Sequence, residues 1–410
     1  MRCLFLTQYY PPETGAAQNR LSDWAQRLSM WGHHVTVLTA VPNYPRGEIF
    51  SDYRGRWLYD EHKDGVRVLR TLIFVSPCPG FLQRLSSYIS FMFASFVVAI
   101  AKAGPQDVII VESPPLLAGI SGLLLKYWFR AKMVLNVSDL WPESAVAMGM
   151  LHNRYLIWMS TRLEELLYRK AALVTGQTRH IVSSIANRTG VFAALVSNGV
   201  DLDAFIDPIL IDRRMQRRRL GFSDEFVVGY AGLHGFAQGL DIILDAAEIL
   251  RDFPGILFVL FGDGPDKSRL QQQAQARGLP NLRFYPPQPK QAVPILLACF
   301  DACVVPLRGL RRFRGALPCK LFECMASGAP VIVSIAGEAE DLVRDADGGL
   351  CIPPEDGRAL ADAILRLRDD PALGRILSQN ARAYVARHYD RKDIAARLRS
   401  LLSPIAASNR

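Results

Sequence analysis

Residues Pro318 to Ser334 read PCKLFECMASGAPVIVS. The stretch predicts a helix running into a buried strand. Pro318 suits the first turn, where a missing N–H costs nothing. Gly328 stops the helix, Pro330 follows, and Val331 to Val333 is the apolar run of a parallel strand covered on both faces. Leu321, Phe322 and Met325 can face a core. Lys320 and Glu323 stand three apart, so they share a face near the helix N-terminus. Free N–H groups and the helix dipole attract an anion there, and Lys320 adds a full positive charge. One turn on, the Glu323 carboxylate can accept two hydrogen bonds from a vicinal diol. Phosphate plus ribose satisfies that set. A solvated Lys and Glu on a surface helix is the plainer alternative.

Working outward, the rest of the chain has the same rhythm. With 410 residues there is room for two domains of ordinary size, and 50% hydrophobic with 21% charged residues is a globular composition. A net charge of +9 favours an anionic partner: nucleotide diphosphate, lipid phosphate or an acidic membrane. Nucleic acid would suit the charge too, but no RNA- or DNA-binding motif accompanies it. The seven cysteines are scattered. Cys299 and Cys303 have no second ligand pair, so they read as buried thiols in a reducing cytosol rather than a metal site. Met1 leads straight into a strand, so no signal peptide is expected.

Arg2 to Thr7 and Val35 to Thr39 read as strands flanking a helix with Ala17, Leu21, Trp24 and Leu28 on one face. This is a βαβ unit, which binds ligands at the C-terminal ends of its strands. Its loop, QYYPPETGAAQNR, contains Gly15, where backbone can approach a ligand closely. It lacks the GxGxxG fingerprint of nicotinamide enzymes. Pro42 to Asp64 reads as loop, either lining a cleft or a surface excursion. Tyr88 to Ala101, the most hydrophobic stretch, is shorter than the about 20 residues a bilayer requires. It reads as a buried helix or as one dipping into a membrane interface between Arg84 and Lys102. After the strand Lys132 to Val137 comes SDLWPESA, offering the carboxylates of Asp139 and Glu143 and a Trp141 that could stack on a sugar. A helix cap and a core tryptophan are the alternative. In the second half, Phe226 to Ala231 is a strand followed by Gly232, Gly235 and Gly239, which leave room for phosphate. Ile256 to Gly262 leads into Gly262-Asp-Gly264-Pro. Arg308, Arg311, Arg312 and Arg314 crowd into seven residues before the opening stretch. They form an anion-binding loop or a solvated face.

The run K-L-F-E-C-M-A-S-G-A-P-V-I resembles the nucleotide-sugar signature of family 4 retaining glycosyltransferases, and its P-x-K-x-x-E form, from Pro318 to Glu323, resembles the subgroup that builds bacterial O-antigen and exopolysaccharide repeat units, including fucose and N-acetylfucosamine transferases. The resemblance implies an α/β GT-B fold, two Rossmann-like doubly wound domains facing a central cleft. They would be residues 1–197, binding acceptor, and 198–384, binding nucleotide sugar, with a last helix from about 385 packing back on the first. It gives Glu323 the donor ribose, Lys320 the donor diphosphate, and Asp139 and Glu143 acceptor-side or catalytic roles. Gly15, Gly232, Gly235, Gln238, Gly239, Gly262, Gly264, Arg314 and Leu321 join the donor-binding set. Many members carry a second Glu eight positions before Glu323, on the donor sugar; this chain has Gly315 there. Where many relatives have Arg and Lys in the phosphate loop, it has Gln238. The implied reaction needs no metal or other cofactor. It moves a sugar from a UDP- or GDP-linked donor to a saccharide or polyprenyl-diphosphate-linked acceptor, in the cytoplasm or at the inner face of the membrane. A GT-B nucleotide-sugar epimerase and a non-catalytic member of an assembly complex are the rivals.

Overall fold

The computed structural model describes residues 1–44, 47–77, 80–147, 149, 151–205 and 211–407, without the side chains of Phe81, Ala147 and Arg312. The chain forms two compact units, Met1–Ser197 with Lys392–Arg410, and Asn198–Arg391.

The first unit is built on eight strands: β1 (Arg2–Leu6), β2 (His34–Ala40), β3 (Leu58–Lys63), β4 (Val66–Thr71), β5 (Val108–Ser113), β6 (Lys132–Val137), β7 (Leu173–Gly176) and β8 (Ala193–Leu195). They lie in the order β3-β4-β2-β1-β5-β6-β7-β8, parallel except for β3. The sequence order reverses at β1, which pairs with β2 on one side and β5 on the other. Strands such as β5, VIIVES, are buried along their whole length, as a sheet covered on both faces requires. One face packs α2 (Phe81–Val98), α3 (Ala118–Trp128), α5 (Arg154–Lys170) and α6 (Arg179–Thr189). The other packs α1 (Ala16–Met30) through Leu21, Trp24 and Leu28. The short α4 (Glu143–Ala147) follows β6.

Two sequence expectations change here. The segment read as loop up to Asp64 contains β3, paired antiparallel to β4 through a two-residue turn at Asp64 and Gly65, both with positive φ. Asp-Gly is the residue pair that such a turn favours. The charged edge strand LYDEHK hid it, because its apolar side is small. The proposed cleft lining at Pro45 and Arg46 lies outside the described residues. The second change concerns α2. It continues through a π-helical turn, Ala99–Ala103, and ends at Gly104 with φ 68°. The apolar helix Leu82–Ala103 is therefore 22 residues long, enough by length and composition to cross a membrane, and most of it is not buried.

The second unit has six parallel strands in the order β11-β10-β9-β12-β13-β14. They are β9 (Phe226–Ala231), β10 (Ile256–Phe261), β11 (Leu282–Tyr285), β12 (Ala302–Pro306), β13 (Val331–Ser334) and β14 (Gly349–Cys351). The order reverses between β9 and β12. Helices α8 (Asp241–Ile249), α9 (Lys267–Ala276) and α13 (Gly357–Asp369) cover one face. On the other lie α10 (Val293–Ala298), α11 (Cys319–Ala326), α12 (Glu338–Asp345) and α14 (Pro371–His388). Basic α7 (Arg213–Arg219) is held by Arg213 and Arg217, both paired to Asp301. Cys299 and Cys303 are free, fully buried thiols. The chain returns to the first unit at Lys392 rather than near residue 385, because Ala381 and Val385 of α14 belong to the second unit's core. The last helix, α15 (Arg391–Ala407), then buries Ile394, Leu398 and Leu402 beside α1.

Candidate functional site

In doubly wound sheets ligands bind beyond the carboxyl ends of the strands where the order reverses. In the second unit that place is formed by the loop after β9, the loop after β12, and α11. Pro318 is the residue just before α11, not inside its first turn, and no side chain caps that end. Lys320 reaches back over β9. Its Nζ donates to the Tyr230 hydroxyl at 2.5 Å and lies 4.2 Å from the centre of that ring. The Tyr230 hydroxyl in turn donates to the Leu233 carbonyl at 2.7 Å. Burial brings the Lys320 ammonium down to about 8, against pulls from Cys324 and Glu323 in the other direction. A site that withholds water from a lysine favours an anion that would restore its charge. The side chain of Glu323, half-buried, has no hydrogen-bond partner among the described residues. Burial pushes its carboxyl up, while Arg391, Lys290 and Lys320 draw it back.

Gly232 has φ 152°, and a side chain there would run into Lys320 Nζ, 2.9 Å from its β-position. Gly262 (φ 148°) and Gly264 (φ 155°) have no room for one either, because each lies against the backbone of residues 232–234. The two loops are stitched by Gly232 N–H to Phe261 O and His234 N–H to Asp263 O, at 2.9 and 2.8 Å. Gly235 and Gln238 frame a short turn that ends at Gly239, φ 58°. Arg308 clamps this turn from outside, donating to Phe236 O, Glu355 and Asp241. It is occupied with structure. Exposed Arg314, by contrast, makes no ion pair among the described residues, while its carbonyl anchors the start of α12 through Glu338 N–H at 2.7 Å. Leu321 has its side chain fully buried in the core, and its N–H bonds to Pro318 O at 2.9 Å.

The first unit holds Gly15, Asp139 and Glu143. Gly15 precedes α1 in extended backbone, φ 175°, which any residue can adopt. It lines a cavity of about 540 Å³ with Tyr9, Asn43, Tyr44, Arg84 and Tyr88. Asp139 follows β6 on the surface. Lost hydration, with Glu143 adding repulsion, pushes its carboxyl above the usual range. Glu143 is exposed, 3.8 Å from Arg188. Trp141 packs against the core beside it.

The sequence reading missed four groups that build these places. Tyr230 looked like one more strand residue, yet it positions Lys320. His234 is fully buried, and burial, with Lys267 and Lys320 nearby, takes it down to about 4, so it is a neutral imidazole. Glu13, 2% exposed, accepts the backbone N–H groups of Tyr10, Asn43 and Tyr44, tying together two walls of the cavity. Below Asp139, Arg20 donates to Glu112 and to Ser138 at 2.7 Å each, and Asn136 donates to Glu112 at 2.6 Å. Arg20 and Glu112 are both nearly inaccessible. A carboxylate ending an all-apolar strand was the available signal.

Comparison with known proteins agrees with this architecture. Residues 15–199 match the glycosyl transferase 4-like domain, and residues 212–384 the glycosyl transferases group 1 family. WcaI of Escherichia coli K12, a glycosyl transferase assigned to colanic acid biosynthesis, is 28% identical over 96% of this chain and 98% of its own. Sucrose-phosphate synthase of Thermosynechococcus elongatus superposes with a TM-score of 0.79 at 21% identity, covering 99% of both chains. Anabaena HepE, crystallised with UDP-glucose, gives 0.74 at 20%, covering 98% of this chain and all of its own. With a glycosyl transferase 4-like first half and a group 1 second half, the chain belongs among the glycosyltransferases of GT-B fold.

Proposed function

We propose that the protein transfers a sugar, with retention at the anomeric carbon, from a UDP- or GDP-linked donor to a lipid-linked saccharide acceptor in cell-surface polysaccharide synthesis. One observation carries the reading. Lys320 sits at the uncapped start of α11, held by Tyr230 beside the Gly232 turn, with Glu323 one turn on. On this reading the second unit holds the nucleotide sugar and the first the acceptor. The Lys320 ammonium and the α11 N–H groups meet the diphosphate, and Glu323 accepts the two ribose hydroxyls. The bond from the anomeric carbon to the diphosphate oxygen breaks, and the acceptor oxygen bonds to that carbon from the same face. The acceptor's proton passes to the departing diphosphate, so no metal or other cofactor takes part and Asp139 orients the acceptor hydroxyl. Fixed charge where negative charge develops is the largest single contribution available to such a site. The relative assigned to colanic acid synthesis supports a polysaccharide role. Free buried thiols suit a reducing cytoplasm.

The test is product analysis with a panel of UDP- and GDP-sugars, with and without a polyprenyl-diphosphate saccharide. Acceptor-dependent release of nucleoside diphosphate is expected, and Lys320→Ala should lower it roughly 100-fold or more. Arg344→Ala, on an exposed helix pair, should leave it unchanged. Isomerisation of the donor without acceptor would instead favour an epimerase, and no binding of any nucleotide a non-catalytic module.

A further inference from the structure

Helix α2 is apolar on two sides. Phe91, Val98 and Ala99 are buried toward the sheet. On the opposite side Leu82, Ile89, Phe93 and Val97 recur at helical spacing, interrupted only by Ser86. All are exposed, Phe93 at 63% and Val97 at 60%. A helix that covers a sheet and faces water carries polar residues on that outer side. The neighbours repeat the anomaly. Against α2 lies α3, which exposes Leu124, Tyr127 and Trp128; against α3 lies α5, which exposes Tyr155, Trp158 and Met159. All three helices pack inward on the same face of the sheet, so their outer sides form one layer. Single exposed apolar residues are ordinary, but a continuous apolar layer on three adjacent helices marks an interaction surface.

Its charge identifies the partner. Lys102, Lys126, Arg154, Arg169 and Lys170 lie along these helices and the turn that ends α2. The acids on them are Glu164, buried and bonded to Tyr168 and Arg188, and Glu165, paired with Arg162. A second copy docked about a two-fold axis would set like charges against each other. An anionic lipid surface complements both the apolar layer and its basic flanks, and Tyr and Trp are the side chains that favour the headgroup boundary. Because Phe91 and Val98 are fixed on the sheet, α2 lies along such a surface rather than crossing it.

We propose that the outer face of α2, α3 and α5 seats the first unit on an anionic bilayer. The inner edge of α2 lines the 540 Å³ cavity through Gln83, Arg84, Ser87 and Tyr88. One helix therefore borders both the lipid-facing layer and the cavity, which sets an acceptor's saccharide head in the cavity while its polyprenyl tail stays in the bilayer. That last assignment rests on the glycosyltransferase reading; the seating does not.

The test is co-sedimentation of the full chain with phosphatidylcholine vesicles, with and without phosphatidylglycerol. Binding is expected to be roughly tenfold stronger with the anionic lipid and to weaken in high salt. Phe93→Ser with Val97→Ser should lower it roughly tenfold while leaving circular dichroism and transfer to a short soluble acceptor unchanged. Brominated lipid should quench Trp128 and Trp158, judged by the signal lost in Trp128→Phe and Trp158→Phe. Failure of the wild-type chain to bind phosphatidylglycerol vesicles overturns the proposal, as does equal binding by the double variant. A lipid-free dimer dispersed by the same substitutions overturns it in favour of a second copy. Vesicle binding without sugar transfer would fault the enzymatic reading alone.

Discussion

Lys320 makes a prediction of its own because its proton is loosely held. Its pKa is lowered from 10.5 to about 8, so the cost of burying its charge is fully present below pH 8 and is relieved as pH rises from 8 toward 10.5. A bound diphosphate reverses that, favouring the protonated form and raising the pKa. Binding UDP or GDP at pH 8 should therefore take up about half a proton, falling toward zero at pH 6. Affinity should decline as pH rises above 8. Calorimetry in buffers of different ionisation heat measures the uptake, and Lys320→Met should abolish it; unchanged uptake in that variant contradicts the assignment. At this scale the sequence showed that Lys320 and Glu323 share one helix, α11. It was silent on Tyr230 and His234, since FVVGYA reads equally well as plain buried strand and GLHG as plain turn. Which side chain leans onto a lysine from 90 residues away is a tertiary fact.

Between residue and molecule, two elements have measurable consequences. The buried Arg20–Glu112 pair joins α1, β5 and the Ser138 loop. Removing one partner leaves an uncompensated charge, so Glu112→Gln should cost about 3 kcal/mol in urea unfolding. The exposed Arg2–Asp107 pair offers the contrast: Asp107→Asn should cost below about 1 kcal/mol. Gly262 is fixed by φ 148° and by the carbonyl of Gly232 against it. Gly262→Ala should cost about 2 kcal/mol and push the Gly232 turn off Lys320, weakening nucleotide binding more than acceptor binding. Nucleotide affinity equal to wild type in that variant would separate the loop from the donor. The strands covered on both faces were legible as unbroken apolar runs. The β3–β4 hairpin was not, since an edge strand with charges on it breaks the alternation, though Asp64-Gly65 announced its turn. Nor was the full length of α2, whose last turn carries Lys102 and mixes with the loop in composition.

For the molecule as a whole, the alternation of strand, turn and helix in both halves made two doubly wound units legible, and the signature at Lys320–Pro330 pointed to a glycosyltransferase. The return of the chain at Lys392 was off by a few residues, because α14 looks from its sequence like one more surface helix. Its attachment to α11 through Ala381 and Val385 is visible only once packed. Everything functional rests on α11 receiving a nucleotide. The most direct measurement is a crystal structure of the full chain with UDP or GDP bound. The account predicts the diphosphate on Lys320 Nζ and the α11 N–H groups, with both ribose hydroxyls on Glu323. A nucleotide bound elsewhere, or a Glu323 carboxylate turned away from the ribose, would contradict it.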